Sequence, residues 1–259
     1  MTSRRFEDKT AILTGGAKGI GRATALRYLS EGGRLAVIDQ EAPDSSFAEA
    51  LRSEAGQNSQ RLAYIKADAT DEADVARAVQ EAEAALGPAD ILVNNVGFGA
   101  NPTPIETLSL AEWEQFMSIN LTSAFLLTRA VVPGMRERGY GRIVNLASVA
   151  GRSISEISNL HYSTAKAAIL GFTRRLGFAE AEYGICVNSV APGTVFTDRV
   201  RTRYEALPEE EQERRRDEIP MKRPARPEEI AAAILFLASD DASYITGACI
   251  DVNGGRFMS

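Results

Sequence analysis

Short apolar runs alternate along the chain with longer stretches whose apolar residues recur every three or four positions. The runs at 9–14 (KTAILT), 34–39 (RLAVID), 61–67 (RLAYIKA), 89–94 (ADILVN), 142–147 (RIVNLA), 185–191 (ICVNSVA) and 247–252 predict strands. The stretches at 19–31, 44–55, 71–86, 110–138, 160–183 and 227–238 predict helices. In the first of them Ile20, Ala23, Leu26 and Leu29 share a face. Asp71 stands where a cap is needed, and Gly87-Pro88 stops that helix. Strand–helix alternation implies parallel strands joined by right-handed crossovers. The expected fold is α/β, a doubly wound parallel sheet of about seven strands with helices on both faces. The polar, charged segment 192–227 breaks the rhythm, but no repeat or linker divides the chain, so 1–259 is expected to form a single domain. In such sheets a ligand crevice lies outside the carboxyl ends of the strands.

Composition adds exclusions. At 259 residues, with 44% hydrophobic and 25% charged residues, the chain can bury a large core without disulfide or metal staples. Lys and Arg number 29 against 35 Asp and Glu, a net charge of -6 that disfavours nucleic acid or anionic lipid as a partner. Cys186 and Cys249 sit in apolar surroundings and read as reduced thiols. The one histidine, His161, cannot complete a common zinc set with them, so no metal is expected. The first residues, MTSRRFEDKT, lack an apolar signal core, and the longest apolar run, 230–238, is too short for a bilayer. These readings exclude a membrane partner and give a cytoplasmic expectation.

The first candidate site is Thr14-Gly15-Gly16-Ala17-Lys18-Gly19-Ile20-Gly21, between the first strand and the first helix. Glycines let the backbone turn tightly against a pyrophosphate, and free N–H groups at the helix start face the anion. A plain tight turn is the bland alternative. The strand–turn–helix setting and Asp39, ending the second strand 18 positions after Gly21, favour a Rossmann-like dinucleotide site. A nucleoside-triphosphate loop is ruled out because Arg22-Ala23 stands where Lys-Ser/Thr is required. The Asp39 carboxylate suits ribose hydroxyls and would repel a 2′-phosphate. Gln40 adds no positive charge, whereas Lys18 could pair with such a phosphate. The repulsion at Asp39 is given more weight, so NAD is expected over NADP.

The second candidate site is Tyr162 and Lys166, four apart on one predicted helix and so on one face. A nearby ammonium favours phenolate over phenol, which makes Tyr162 a credible general base, and a general acid in reverse. Such a pair alone also fits an ordinary surface helix. Ser148 follows the fifth strand at the expected carboxyl edge, where its hydroxyl can hold a substrate oxygen. Asn120 lies mid-helix, a poor place for asparagine.

These motifs, together with Asn94-Asn95-Val96-Gly97, Pro192-Gly193 and Asn253-Gly254-Gly255, resemble the short-chain dehydrogenase/reductase family over almost the whole chain. The similarity is greatest to the branch of 3-oxoacyl-carrier-protein reductases and NAD-dependent secondary-alcohol dehydrogenases. The resemblance implies hydride transfer between NAD(H) and a secondary alcohol or ketone, catalysed by Asn120, Ser148, Tyr162 and Lys166. Tyr162 would be the acid/base. Lys166 would lower its pKa and bind the nicotinamide ribose, Ser148 would polarise the carbonyl, and Asn120 would hold a relay water. Gly15, Lys18, Gly19, Ile20, Gly21, Asp39, Asp68, Ala69, Asn95, Val96 and Gly97 would hold the phosphates and adenosine. Pro192, Gly193, Val195 and Thr197 would hold the nicotinamide, and Asn94 would brace the sheet. Val96 departs from the family's more usual alanine, and Asp39 from its NADP-dependent acyl reductases. The segment 196–225 would form a substrate lid. Pocket candidates are Phe98, Arg152, Ile154, Asn159, His161, Val195, Phe196 and Arg199. The two long helices would build a homotetramer. The alternatives are an NADP(H)-dependent 3-oxoacyl thioester reductase, a non-catalytic dinucleotide-binding regulator, or an epimerase or dehydratase of the longer branch. The tetrad argues against the regulator, and the short substrate region and glycine spacing against the last.

Overall fold

The computed structural model describes residues 4–99, 103–154 and 158–258. Seven parallel strands form one sheet: β1 (Thr10–Thr14), β2 (Arg34–Asp39), β3 (Leu62–Lys66), β4 (Ile91–Asn94), β5 (Gly141–Leu146), β6 (Ile185–Pro192) and β7 (Cys249–Val252). Their spatial order is β3-β2-β1-β4-β5-β6-β7, so the strand order reverses between β1 and β4. The nine helices among the described residues are α1 (Gly19–Ser30), α2 (Ser46–Ala55), α3 (Glu72–Leu86), α4 (Leu110–Met117), α5 (Ser123–Arg138), α6 (Leu160–Glu180), α7 (Asp198–Glu205), α8 (Glu209–Asp217) and α9 (Pro227–Ala238).

Continuous apolar runs make sense in this sheet because successive side chains go to opposite faces and both faces are covered. Leu13, Leu35, Val37, Ile91 and Val144 join one core with Ala25 and Leu29 of α1 and Ile230 and Ile234 of α9. Their neighbours Ile12, Ala36, Ile38, Leu92 and Ile143 join the other core, with Val75 and Ala78 of α3 and Leu127 and Val131 of α5. The expected doubly wound architecture is therefore present, and the expected elements fall close to their sequence bounds.

Two expectations change in detail. The predicted helix over 110–138 is interrupted by a π-helical turn at Ser118–Thr122 that contains Asn120. The run Leu110–Arg138 is also apolar and long enough to cross a membrane by length and composition, although 230–238 looked the longer apolar stretch in sequence. Half of its apolar window is buried inside the fold, as in a core helix. The helix expected over 160–183 ends at Glu180 and continues as a 3-10 turn, Ala181–Tyr183.

A buried polar chain crosses the sheet at its carboxyl end. Asn94 Nδ2 donates to Asn145 Oδ1 at 2.8 Å and to Thr128 Oγ1 at 3.2 Å. Asn145 Nδ2 donates to Thr173 Oγ1 at 3.0 Å, and Thr173 in turn donates to the Ile169 carbonyl at 2.7 Å. The chain ties β4 and β5 to α5 and α6. Asn94 thus takes the bracing position expected of it. Buried polar groups lose their hydration on folding, so each partner removed leaves the other uncompensated. Asn145→Leu is expected to lower the unfolding free energy by about 2–4 kcal/mol. Urea denaturation checks this, and a change within about 0.5 kcal/mol, the range of an ordinary surface substitution, would contradict it.

Candidate active site

The glycine loop between β1 and α1 is shaped by close contacts. Gly15 and Gly19 adopt φ of 68° and 54°, in the left-handed region. A Cβ at Gly21 would stand 2.0 Å from the Gly15 carbonyl oxygen, so the loop closes on itself only with glycine there. Asn95 Nδ2 donates to the carbonyls of Thr14 and Gly15 at 3.0 and 2.9 Å. Thr14 Oγ1 accepts from the amides of Asn95 and Val96. Val96 also packs against Gly15 through its side chain. The loops after β1 and β4 are thereby locked together across the strand-order reversal.

The start of α1 is chemically open. Side chains of Ser45, Asp71, Ser109, Asn159 and Thr197 cap α2, α3, α4, α6 and α7. Lys18 at the start of α1 provides no cap, and the first turn carries no acid. Ile20 and Gly21 lie in that turn, where amide N–H groups and the helix dipole suit an external anion. These residues fit a dinucleotide pyrophosphate.

At the far end of this cleft Asp39 accepts from the Ala17 amide at 3.0 Å and the Glu41 amide at 3.1 Å. Lys18 does not approach Asp39. Its Nζ pairs with Glu41 Oε1 at 2.7 Å and lies 3.6 Å from the centroid of the Phe47 ring. Asp68 Oδ1 accepts from the Thr70 amide and hydroxyl at 2.8 and 2.7 Å. These bonds, with a further one from Gln40, hold its carboxyl below the usual range. Ala69 is buried next to it. Glu41 and Phe47 were absent from the sequence candidates, although Glu41 lies only two residues beyond Asp39.

The second cluster forms where β4, β5, α4 and α6 meet. Lys166 is 3% exposed, and its Nζ donates to the Leu146 carbonyl at 2.7 Å. Burial pulls its pKa down to about 8. Nζ lies 5.8 Å from the Tyr162 ring centroid. Tyr162 is half-buried; desolvation pushes its phenol up, and a hydrogen bond with Ser148 opposes the rise. The downward pull on Tyr162 expected from Lys166 is not among the effects on the phenol; Ser148 supplies the downward one. Ser148 is buried, and its Oγ also accepts from the Ala150 amide at 3.1 Å. Asn159 Oδ1 accepts from the Tyr162 amide at 3.1 Å and so fixes where α6 begins.

Asn120 is 1% exposed and fully engaged with backbone. Its Oδ1 accepts from the Phe98 amide at 3.1 Å. Its Nδ2 donates to the carbonyls of Phe98 and Phe116 at 3.2 and 3.1 Å. The π turn is what lets a mid-helix carboxamide reach the loop after β4; such bulges often mark functional sites. Gly97 completes the packing. A Cβ there would stand 2.6 Å from Asn120 Oδ1 and 2.9 Å from Lys166 Nζ. A Cβ at Gly99 would meet the Tyr162 ring at 3.6 Å, an ordinary contact. Gly151 matters equally, since a Cβ there would meet the Lys166 backbone at 2.5 Å.

The remaining nicotinamide candidates line the end of β6. Gly193 N donates to the Val252 carbonyl at 3.0 Å, directly after Pro192. Val195 bridges Ala225, and the Phe196 amide donates to the Ala225 carbonyl at 2.8 Å, which draws the two ends of 196–225 together. Thr197 caps α7 and presses on Gly19.

The pocket candidates separate. Phe98 stacks on Phe116 at 5.0 Å, and Phe116 meets His161 edge-on at 3.9 Å. His161 is fully buried, with Glu112 3.6 Å from its Nε2, and desolvation lowers its pKa. Arg152, a pocket candidate, is instead paired with Asp251 at 3.1 Å and lies over Phe257. Phe196 packs on Tyr204, and Ile154 is 95% exposed. The charged helix α8 has no buried residue and carries the ion pairs Arg214–Glu218 and Arg215–Glu211, a solvated helix as its charge pattern implied. No group of three or more His, Cys, Asp or Glu suited to a metal occurs among the described residues.

Comparison with known proteins identifies the family. The family model described as Enoyl-(Acyl carrier protein) reductase matches residues 15–256. Levodione reductase of Leifsonia aquatica is 36% identical over 257 residues, which is 97% of this chain and 95% of that protein. Cis-4-hydroxycyclohexanecarboxylate dehydrogenase of Sinomonas cyclohexanicum is 39% identical over 251 residues, or 96% of this chain and 97% of that one. The crystal structure of a 3-oxoacyl-[acyl-carrier protein] reductase with bound NAD from Brucella melitensis superposes with a TM-score of 0.88 at 31% identity. It covers 100% of this chain and 94% of its own. The chain belongs to the short-chain dehydrogenase/reductase family, oxidoreductases of CH–OH and keto groups that use a nicotinamide dinucleotide.

Proposed function

We propose that this chain interconverts a secondary alcohol and a ketone using NAD(H), with Tyr162 as the acid/base of an Asn120-Ser148-Tyr162-Lys166 tetrad. The observation that carries the reading is the buried Lys166, bonded to the Leu146 carbonyl with its Nζ 5.8 Å from the Tyr162 ring, with Ser148 close enough to the phenol to oppose its upward shift. When bound, the nicotinamide supplies the hydride acceptor or donor. The rest falls to the chain. The uncapped first turn of α1 holds the pyrophosphate, and Pro192, Gly193, Val195 and Thr197 border the nicotinamide end. Ser148 Oγ orients the substrate oxygen, and the Tyr162 hydroxyl takes its proton or returns it. The Lys166 ammonium stabilises the phenolate by charge. Asn120 holds the loop 97–99 against both. A deprotonated phenol at neutral pH requires more than burial provides, so the charge on Lys166 is part of the proposal. The segment 196–225 serves as the lid.

The NAD preference rests on Asp39 and on the engagement of Lys18 by Glu41 and Phe47. A ribose with free hydroxyls can donate to the Asp39 carboxylate, whereas a 2′-phosphate would meet Asp39 and Glu41 together. The one loop cation able to favour the phosphate is already paired. This disfavours the NADP(H)-dependent thioester reductase. We also propose a homotetramer through α4, α5 and α6, supported by exposed Leu110, Phe125, Leu160 and Phe178 on these helices.

Tyr162→Phe is expected to lower kcat by three orders of magnitude or more, on the order of 4 kcal/mol of transition-state stabilisation. NADH affinity by fluorescence titration should stay within about threefold, or about 0.6 kcal/mol. Activity retained within about tenfold, about 1.4 kcal/mol, would remove Tyr162 from the role. Asp39→Ala should raise kcat/KM for NADP(H) relative to NAD(H) by about tenfold or more, the loss of one like-charge contact; an unchanged ratio would count against the charge argument.

Lys166 generates a prediction about stability. Its folded pKa near 8 lies below the ordinary value of 10.5. Between these values the unfolded chain binds more protons, so unfolding free energy rises with pH across that window. Lys166→Met removes this dependence. The variant should therefore be more stable than the parent at pH 7 by on the order of 3 kcal/mol, less the hydrogen bond to Leu146. The gap should close as pH rises from about 8 to 10.5. A gap that does not change with pH in urea unfolding experiments would refute the assignment.

A further inference from the structure

The chemistry of the substrate is written in one arginine at the mouth of the cleft. Arg199 lies in the first turn of α7, directly after the stretch where Thr197 presses on Gly19. Its Nη2 donates to the Gly99 carbonyl at 3.3 Å, and its guanidinium lies 5.4 Å from the Phe98 ring centroid. Both contacts are with the loop that borders the tetrad. Phe98 is bonded to Asn120 through both its amide and its carbonyl, and a Cβ added at Gly99 would meet the Tyr162 ring at 3.6 Å. Arg199 is thereby tied to the loop that faces Tyr162.

Neither Arg199 nor its α7 neighbours Arg201 and Arg203 form an ion pair among the described residues, but Arg199 is the one bonded to the loop 97–99, whereas Arg201 lies over Phe196. Arg152, which follows Ser148 by four residues, is matched by Asp251 at 3.1 Å. Arg215, Arg223 and Arg256 are matched by Glu211, Glu229 and Glu218. Among the described residues no carboxylate pairs with Arg199, and Asp198, its immediate neighbour, makes no ion pair with it. Arg199 is exposed, and apart from the one hydrogen bond to Gly99 and the contact with Phe98 its N–H donors face solvent, in a planar fork that matches a carboxylate. Phe98 adds apolar surface beside it. The loop 97–99 thus has the tetrad on one side, through Asn120 and Lys166, and the cationic Arg199 on the other.

We propose that Arg199 binds a carboxylate on the substrate, so that this enzyme acts on a hydroxy acid or oxo acid whose carboxylate is separated from the reacting carbon by an apolar segment. This rests on the oxidoreductase reading above and names its substrate class. Arg199 is a specificity-determining residue in this proposal, with no part in proton or hydride transfer.

The test uses the full chain loaded with NAD⁺ and needs no turnover. Cyclohexanecarboxylate and its neutral isostere cyclohexanecarboxamide are titrated by calorimetry into the parent chain, Arg199→Gln, Arg199→Lys and Arg203→Gln. Arg203 lies on the same helix and makes no hydrogen bond or ion pair with the described residues of the loop 97–99. The parent is expected to bind the acid at least about tenfold more tightly than the amide, the scale of one charge-assisted pair. Arg199→Gln should bring that ratio to about one, Arg199→Lys should keep part of it, and Arg203→Gln should keep all of it. Equal affinity of the parent for acid and amide, with undetectable binding of both counted as equal, overturns the proposal. So does a preference that survives in Arg199→Gln, or one lost equally in Arg203→Gln. Turnover assays separate this from the broader reading: oxidation of neutral secondary alcohols without preference for acids would leave the oxidoreductase standing and remove only the carboxylate.

Discussion

A buried ammonium sets the terms for the rest of this site. Placing a lysine side chain in the interior costs free energy unless its charge finds partners, and the fold supplies very few. Lys166 donates to the Leu146 carbonyl at the end of β5 and is otherwise shielded from solvent, at 3% exposure. To bring it there, α6 must approach the turn after Ser148 more closely than any side chain permits, which is why Gly151 faces the Lys166 backbone. The loop after β4 must come equally close, which is why Gly97 lies against Nζ. The Asn94–Asn145–Thr173 chain holds β4, β5 and α6 at the required spacing. The low pKa of Lys166 is the mark of this arrangement, since desolvation is its sole cause. A lysine poised near neutrality responds sharply to any charge that enters beside it.

The cofactor end uses the opposite economy. Helix α1 starts without a side-chain cap, unlike α2, α3, α4, α6 and α7, and its first-turn amides suit an anion. Around the ribose position, charges are already balanced within the protein: Asp39 is held by two amides, and Lys18 is neutralised by Glu41. The same logic separates Arg152, satisfied by Asp251, from Arg199, which is not satisfied by any carboxylate among the described residues. In both places the informative residue is the one whose electrostatic need is unmet inside the chain.

Much of this was legible beforehand. Strand–helix alternation, the glycine loop and the Tyr162–Lys166 spacing each depend on local pattern, and each has its expected place in the fold. Asn120 was conspicuous as a poor helix former, but the π turn that aims it at Phe98 was not, because π and α helices share a periodicity over so short a span. The pairing of Arg152 was not legible because its partner, Asp251, is about a hundred residues away in sequence and joins it only through the β6–β7 pairing. Glu41 was passed over because an exposed acid has no local signature until Lys18 and Phe47 converge on it.

The sequence by itself determined the doubly wound sheet, the order of its elements and the residue types at the two ends of the cleft. These follow from hydrophobic period, glycine conformation and side-chain chemistry, all of which act over a few neighbouring residues. Only the tertiary structure decided how those groups are charged and paired: that Lys166 is desolvated, that Lys18 is neutralised, and that Arg199 stands over Phe98. Solvation and ion pairing depend on which distant segments share a volume of low dielectric, and that is a property of the packed chain.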